Sequence, residues 1–417
     1  MPKTIQFNPL HYPVYVMAKP IGAACNLRCH YCYYLDKEKL RPKSTPPKMS
    51  ESTLQLFTEQ YILAQPGQQV LFTWHGGEPL LLGIEYYRKA LKLQQKYGRG
   101  RQIDNSLQTN GTMLTDEWCR FFKENNFLIG LSLDGPEHCH DRYRKNSTGE
   151  GSFADVMRGL DLLQKHGVEF NVLSVVNDYN VQFPLEVYRF FKSVGARYIQ
   201  FSPVVERVDA TSGLLASVKQ TESQLTAWSV QPLDYGKFLC NIFDEWVRND
   251  VGETYVTTFD ATLAGYVGAA PGVCLYSPTC GHAAALDANG DLYACDHFVF
   301  PEYKRGNIRD KSITEMMLSE KQIKFGNDKR NTLPGTCLKC EYLQLCNGEC
   351  PKNRIRHVEG ETYPLNYLCA GLKHYFHHTK PYMQFMANEL THERPPANIM
   401  QKLHNSLFNS FDKESEY

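Results

Sequence analysis

From residue 14 to about 250 the chain alternates short apolar runs with amphipathic stretches. "PVYVMAKP" (13–20), "QQVLFTWH" (68–75), "IDNSLQTN" (103–110), "FLIGLSLD" (127–134), "VEFNVLSVVN" (168–177) and "ARYIQFSPV" (196–204) are rich in Val, Ile, Leu and Phe and read as strands. Between them "SESTLQLFTEQYILA", "GIEYYRKALKLQQKY", "TDEWCRFFKENN", "GSFADVMRGLDLLQKHG" and "PLEVYRFFKSVG" carry helical periodicity, several starting near Ser, Thr or Gly. Six strands each leading into a helix predict a parallel sheet with right-handed crossovers. Six units fall short of the eight of a closed barrel, so the fold class is α/β, a partial (β/α)6 barrel. In such folds chemistry gathers at the carboxyl ends of the strands. There lie a cysteine loop after the first strand, "GGEP" after the second, "TNGT" after the third and "DGP" after the fourth.

Beyond the sixth strand the pattern weakens. Residues 206–232 are polar and read as a long loop or lid, or as a solvated insertion. From 270 to 375 the chain is dense in cysteine, glycine and proline, and "AALDANGDLYAC" predicts a hairpin with an Asn-Gly turn. A small domain framed by metal instead of apolar core fits this composition. The expected organisation is a barrel over 1–250, a C-terminal cysteine-rich domain over 251–380 and a helical tail over 381–417 that frays at its charged end.

Composition removes several function classes. Lys+Arg and Asp+Glu both number 45, so no basic excess points to nucleic acid. The opening "MPKTIQFNPLHYPVYVM" lacks the apolar run of a signal peptide, and no stretch nears the length of a membrane span, so a cytoplasmic location is expected. Fourteen cysteines without a secretion signal read as metal ligands where they cluster. Cys119, Cys139 and Cys240 stand alone and read as small buried residues.

The other eleven fall into two groups. Cys25, Cys29 and Cys32 form CxxxCxxC, three thiols where structural zinc and iron–sulfur sites usually take four, which leaves a position for something else. A zinc ion borrowing a distant fourth ligand is the alternative. The second group, Cys274, Cys280, Cys295, Cys337, Cys340, Cys346, Cys350 and Cys369, supplies ligands for two complete four-thiolate sites, iron–sulfur clusters or zinc ions by count alone.

The CxxxCxxC loop followed by "GGEP" resembles the radical S-adenosylmethionine enzymes, in which three cysteines hold a cluster whose fourth iron binds the cofactor. The resemblance implies that Gly76, Gly77 and Glu78 meet the cofactor's amino group, that Tyr31 lies near its adenine, and that Ser132 and Arg144 hold its ribose and carboxylate. The second group resembles the SPASM extension. That likeness implies two auxiliary clusters, one on Cys274, Cys280, Cys295 and Cys350, the other on Cys337, Cys340, Cys346 and Cys369. Over roughly residues 10–380, with "CNLRCHYCYY", "GGEP", "QTNGT", "LSLDGP" and "YACDHFV", the chain is most similar to the anaerobic sulfatase-maturating enzymes. This implies three 4Fe–4S clusters and S-adenosyl-L-methionine as cofactors. It implies an unfolded or nascent sulfatase polypeptide as substrate, and a flavodoxin or ferredoxin as electron donor. The expected reaction is oxidation of a Cys or Ser side chain to formylglycine (3-oxoalanine), with Asp296 as the base and His297 as runner-up. A radical maturase of another ribosomal peptide and a zinc-binding adaptor are the competing readings.

Overall fold

The computed structural model describes residues 13–40, 47–220 and 222–405. The expected strands and helices form in order: β1 (Tyr15–Lys19), α1 (Glu51–Leu63), β2 (Gln69–Trp74), α2 (Ile84–Gly98), β3 (Gln102–Thr109), α3 (Asp116–Glu124), β4 (Phe127–Ser132), α4 (Glu137–Tyr143), α5 (Phe153–Lys165), β5 (Phe170–Val176), α6 (Pro184–Ser193) and β6 (Tyr198–Pro203). The short α4 has no counterpart in the sequence reading. Apolar alternation sets the faces. In β2, Val70, Phe72 and Trp74 point inward, and Phe72 stacks on Trp74 at 5.9 Å. All six strands pair in parallel, in chain order.

Residues 206–232 are less irregular than expected. β7 (Arg207–Asp209) and β8 (Ser223–Leu225) form an antiparallel pair. Its base is closed by Glu206 N–H on Ser229 Oγ at 2.9 Å and Thr226 N–H on the Glu206 carbonyl at 2.9 Å. The chain then enters α7 (Pro232–Asn249), β9 (Tyr255–Val256), which pairs in parallel with β6, and α8 (Thr257–Tyr266).

The first strands of the cysteine-rich segment join the barrel sheet. β10 (Ala283–Asp287) lies parallel to β1, with Tyr15 opposite Ala283 and Lys19 opposite Asp287. β11 (Asp291–Tyr293) and β12 (Lys304–Asn307) follow antiparallel, the first through the expected Asn-Gly turn, with Gly290 at φ 88°. One ten-stranded sheet results, in the order β12-β11-β10-β1-β2-β3-β4-β5-β6-β9. The physical reason is the open barrel: β1 would otherwise present an unpaired edge, and the small apolar run of β10 covers it.

After α9 (Ile313–Met317) and α10 (Glu320–Asn331), the ligand-bearing turns α11 (Gly335–Leu338) and α12 (Leu343–Cys346) lead to the β13 (Arg354–Arg356) and β14 (Leu365–Asn366) pair and to α13 (Cys369–Thr391). α13 runs through the boundary expected at 380, because its face is committed to α7 on both sides of that point. A Cβ on Gly371 would lie 1.7 Å from the Pro232 carbonyl oxygen, so the two helices cross in backbone contact beside Cys369. The charged end of the tail, 406–417, lies outside the described residues.

The three-cysteine loop is held by the segment after β2. Gly77 N–H donates to the Gly22 carbonyl at 2.8 Å and Glu78 N–H to the Ala24 carbonyl at 2.9 Å. A Cβ at Gly77 would lie 1.9 Å from the Ala24 oxygen, a collision with backbone that no rotamer relieves. Gly77→Ala should therefore push the cysteine loop off the sheet and lower stability by about 1–3 kcal/mol, the usual cost of forced overpacking. Anaerobic denaturant titration reads this, and an unchanged midpoint would show that the loop moves aside freely.

Candidate active site

The loops expected at the carboxyl ends of β1 to β4 do meet. Cys25 Sγ accepts from Leu27 N–H at 3.3 Å and faces Asn110 Nδ2 at 3.8 Å. The Asn110 amide also donates to Asn26 Oδ1 at 2.9 Å, and Asn26 donates to Thr112 Oγ1 at 2.8 Å. "TNGT" thus grips the cysteine loop through side chains while "GGEP" grips it through backbone. Burial pushes the Cys25 thiol up to about 11 and Cys29 to about 12, so a bound metal must displace their protons.

The residues expected around the cofactor gather beside this loop with partners of their own. Glu78 is fully buried; it accepts from Leu80 N–H and Thr109 Oγ1, each at 2.9 Å, and from Asn110 N–H at 2.8 Å. Its carboxylate is committed inside the protein, and burial raises it to about 7 against those three bonds. The glycines of "GGEP" make room for the chain's own loop. Arg144 forms a buried bidentate pair with Asp134, Nε at 2.9 Å and Nη2 at 3.2 Å, instead of standing unpaired. Tyr31 donates to the same Asp134, and the Arg144 guanidinium lies 5.5 Å from its ring centre. Ser132 accepts from Gln108 at 2.9 Å.

The second cysteine group divides around two cavities. Cys274, Cys280, Cys295 and Cys350 line one, beside His282 and His297. Cys337, Cys340, Cys346 and Cys369 line the other, beside Tyr342 and Phe376. Among the described residues no three His, Cys, Asp or Glu side chains converge as the ligands of a single ion do. Four thiols ringing a cavity are the donor set that an iron–sulfur cluster takes. The chain passes between the cavities through Asn347, Gly348 and Glu349, with φ of 48°, 71° and 50°. Three consecutive left-handed residues reverse the backbone tightly enough for Cys346 and Cys350, four positions apart, to face different cavities.

Asp296, next to Cys295, reaches back to β1. Its Oδ1 lies 2.5 Å from Lys19 Nζ and its Oδ2 accepts from Tyr33, which follows the last cysteine of the first loop. Lys19 Nζ also lies 4.0 Å over the Tyr34 ring. Burial pushes the Asp296 carboxyl up, but Lys19 with His75 and His297 outweighs it and holds the group well below the usual carboxylate range. His75 and His297 are each lowered to about 4, first by burial, then by Lys19 and Lys352 respectively. His297 Nδ1 has no hydrogen-bond partner among the described residues. Nearby, Lys352 pairs with Glu206 of the β7–β8 hairpin. Lys19, Tyr33, His75 and Asp134 were missed in the sequence reading. A lone lysine closing the apolar run of β1, and an aspartate inside "LSLDG", were the available signals.

This chain matches the radical SAM superfamily over residues 20–191 and an iron–sulfur cluster-binding domain, SPASM, over residues 278–341. It is 52% identical over 405 residues to a serine-type anaerobic sulfatase-maturating enzyme of Bacteroides thetaiotaomicron, covering 96% of this chain and 98% of that one. A cysteine-type enzyme of Clostridium perfringens is 31% identical over 381 residues, 91% of this chain and 99% of the other. The solved structure of native anSMEcpe with bound AdoMet and Cp18Cys peptide superposes at a TM-score of 0.80, with 30% identity over 91% of this chain and all of that one. The cysteine loop on the first strands, the two four-cysteine cavities and this likeness along nearly the whole chain agree: the protein belongs to the anaerobic sulfatase-maturating enzymes, radical S-adenosylmethionine enzymes with a SPASM iron–sulfur domain.

Proposed function

We propose that this protein oxidises a serine side chain of an unfolded or nascent sulfatase to formylglycine. The observation that carries this reading is the Lys19–Asp296 contact at 2.5 Å, which sets a carboxylate between the three-cysteine loop and the cysteine set of Cys295. Identity of 52% to a serine-type relative against 31% to a cysteine-type one supports a hydroxyl substrate. Three 4Fe–4S clusters, on Cys25/Cys29/Cys32, on Cys274/Cys280/Cys295/Cys350 and on Cys337/Cys340/Cys346/Cys369, would bring about twelve irons per chain. When bound, S-adenosylmethionine and the clusters supply a 5′-deoxyadenosyl radical that removes hydrogen from the substrate Cβ, and an acceptor for one electron. The chain's own residues do the rest. The backbone of Gly76, Gly77 and Glu78 meets the cofactor's amino group, since the Glu78 carboxylate is occupied. Tyr31 and Ser132 would hold the nucleoside side, and Arg144, oriented by Asp134, would hold the cofactor carboxylate. Asp296, held deprotonated by Lys19 and aimed by Tyr33, takes the substrate hydroxyl proton. The reaction belongs in the cytoplasm, with a flavodoxin or ferredoxin as electron donor. Among the described residues no helix is long and apolar enough to cross a membrane.

Replacing Cys25, Cys29 and Cys32 together with alanine should abolish deoxyadenosine formation while leaving about eight of about twelve irons. Deoxyadenosine from the triple variant would sink the radical assignment. Asp296→Asn should keep iron content and cofactor cleavage but lower aldehyde yield about 10²-fold, the scale of losing a positioned base. Mass spectrometry of the peptide beside deoxyadenosine quantitation reads both, and undiminished aldehyde would move the role to His297. A Ser-x-Pro-x-Arg peptide should be converted with a higher kcat/KM than its Cys counterpart. The reverse order would overturn the serine assignment, and conversion of neither would overturn the sulfatase reading.

A further inference from the structure

Two buried cations stand between the cavities of the second cysteine group. Lys329, on α10, is fully buried, and Arg354, opening β13, is 7% exposed. Lys329 Nζ donates to the carbonyls of Cys274 at 2.5 Å and Leu275 at 2.7 Å, under the turn that presents the first ligand of one set. Arg354 Nη1 donates to the Lys329 carbonyl at 2.6 Å. Its Nε and Nη2 reach the carbonyls of Gly348 at 3.1 Å and Asn347 at 3.2 Å, inside the left-handed reversal between Cys346 and Cys350. Each cation is bonded to neutral oxygens, and among the described residues neither forms an ion pair. The nearby carboxylate of Glu349 accepts instead from Asn366 at 2.5 Å and Asn353 at 3.1 Å.

A buried charge without a hydrogen-bonded counter-charge is costly. The negative groups that face these two cations are the Glu349 carboxylate, whose hydrogen bonds go to Asn366 and Asn353, and the thiolates. The field of Arg354 acts on Cys280 and Cys350 of one set and on Cys337 of the other, and that of Lys329 on Cys274 and Cys280. A cluster bound by four thiolates carries net negative charge and gains one more on reduction by one electron. A fixed buried cation stabilises the reduced form more than the oxidised one and raises the potential. We propose that Lys329 and Arg354 are the built-in counter-ions of the two auxiliary clusters, Arg354 serving both and Lys329 chiefly the one on Cys274, Cys280, Cys295 and Cys350, and that they hold the potentials high enough for each cluster to accept an electron. This rests on the iron–sulfur reading of both sets.

The test is anaerobic redox titration, followed by electron paramagnetic resonance, of the full-length chain carrying Cys25, Cys29 and Cys32 as alanine, so that only auxiliary clusters give signal. If that parent protein holds no iron on the second group, the iron–sulfur reading itself fails before any further variant is made. Given iron, Arg354→Gln should make reduction of both clusters at least about tenfold less favourable, a shift of ~59 mV to lower potential for one electron. Lys329→Gln should move one midpoint more than the other, and Arg354→Lys and Lys329→Arg should stay near the parent. Loss of iron in the neutral variants with iron retained in the charge-keeping ones supports the same conclusion. Unmoved midpoints at full iron content, or equal shifts or equal iron loss in neutral and charge-keeping variants, would reduce both residues to packing elements and overturn the proposal.

Discussion

The pairing of β1 with β10 is the constraint on which the centre depends. Five consecutive residues, Tyr15 to Lys19, lie in parallel register with Ala283 to Asp287. β1 runs into the three-cysteine loop, and β10 turns through β11 into Cys295 and Asp296. One ladder therefore brings together two cysteine groups nearly 250 positions apart in the chain. A linker would leave their separation variable, whereas a hydrogen-bonded sheet fixes it to the spacing of adjacent strands, ~4.8 Å per strand. The same pairing covers the β1 edge of the open barrel and moves the edge of the sheet out to β12.

Around that ladder the structure buries charge in pairs. Lys19 with Asp296, Arg144 with Asp134 and Lys352 with Glu206 each join residues from different loops or from different cysteine regions. Buried pairs of this kind add little net stability, since desolvation offsets their attraction, but breaking one leaves a stranded charge. Their effect here is to select one arrangement of loops that carry few apolar residues of their own. Asp134 serves three partners, accepting from Tyr31, from Arg144 and from Val175 N–H on β5, so that the cysteine loop and the end of α4 share one anchor on the sheet.

The barrel was legible in the sequence because each strand is a local apolar run and each crossover a local periodicity. The addition of β10, β11 and β12 to the β1 edge was not, because pairing between distant strands leaves no local trace and "AALDANGDLYAC" specifies only its own hairpin. α7 and the first half of α13 escaped for a related reason: their crossing depends on Gly236 and Gly371 meeting, which neither helix announces alone. In the site the cysteines were legible by spacing. The grouping of eight thiols into two sets and the proposed role of Asp296 came through resemblance, and the partners Lys19 and Tyr33 became visible only once the strands were in register.

A carboxylate held well below its usual range is an unexpected base, because a weak base accepts protons reluctantly. The chemistry it would serve removes the difficulty. A serine hydroxyl is a very weak acid, but once its carbon has lost a hydrogen atom and an electron the oxygen belongs to a protonated carbonyl, a strong acid. As the proposed base, Asp296 would need only to be ionised and in place at that moment. Lys19 keeps it ionised, and Tyr33 keeps it aimed. A stronger base would add nothing to that last step, and in this buried setting it would spend part of its time already protonated. In the proposed reaction the ion pair would trade basicity for readiness, and oxidation before proton loss would make that trade favourable.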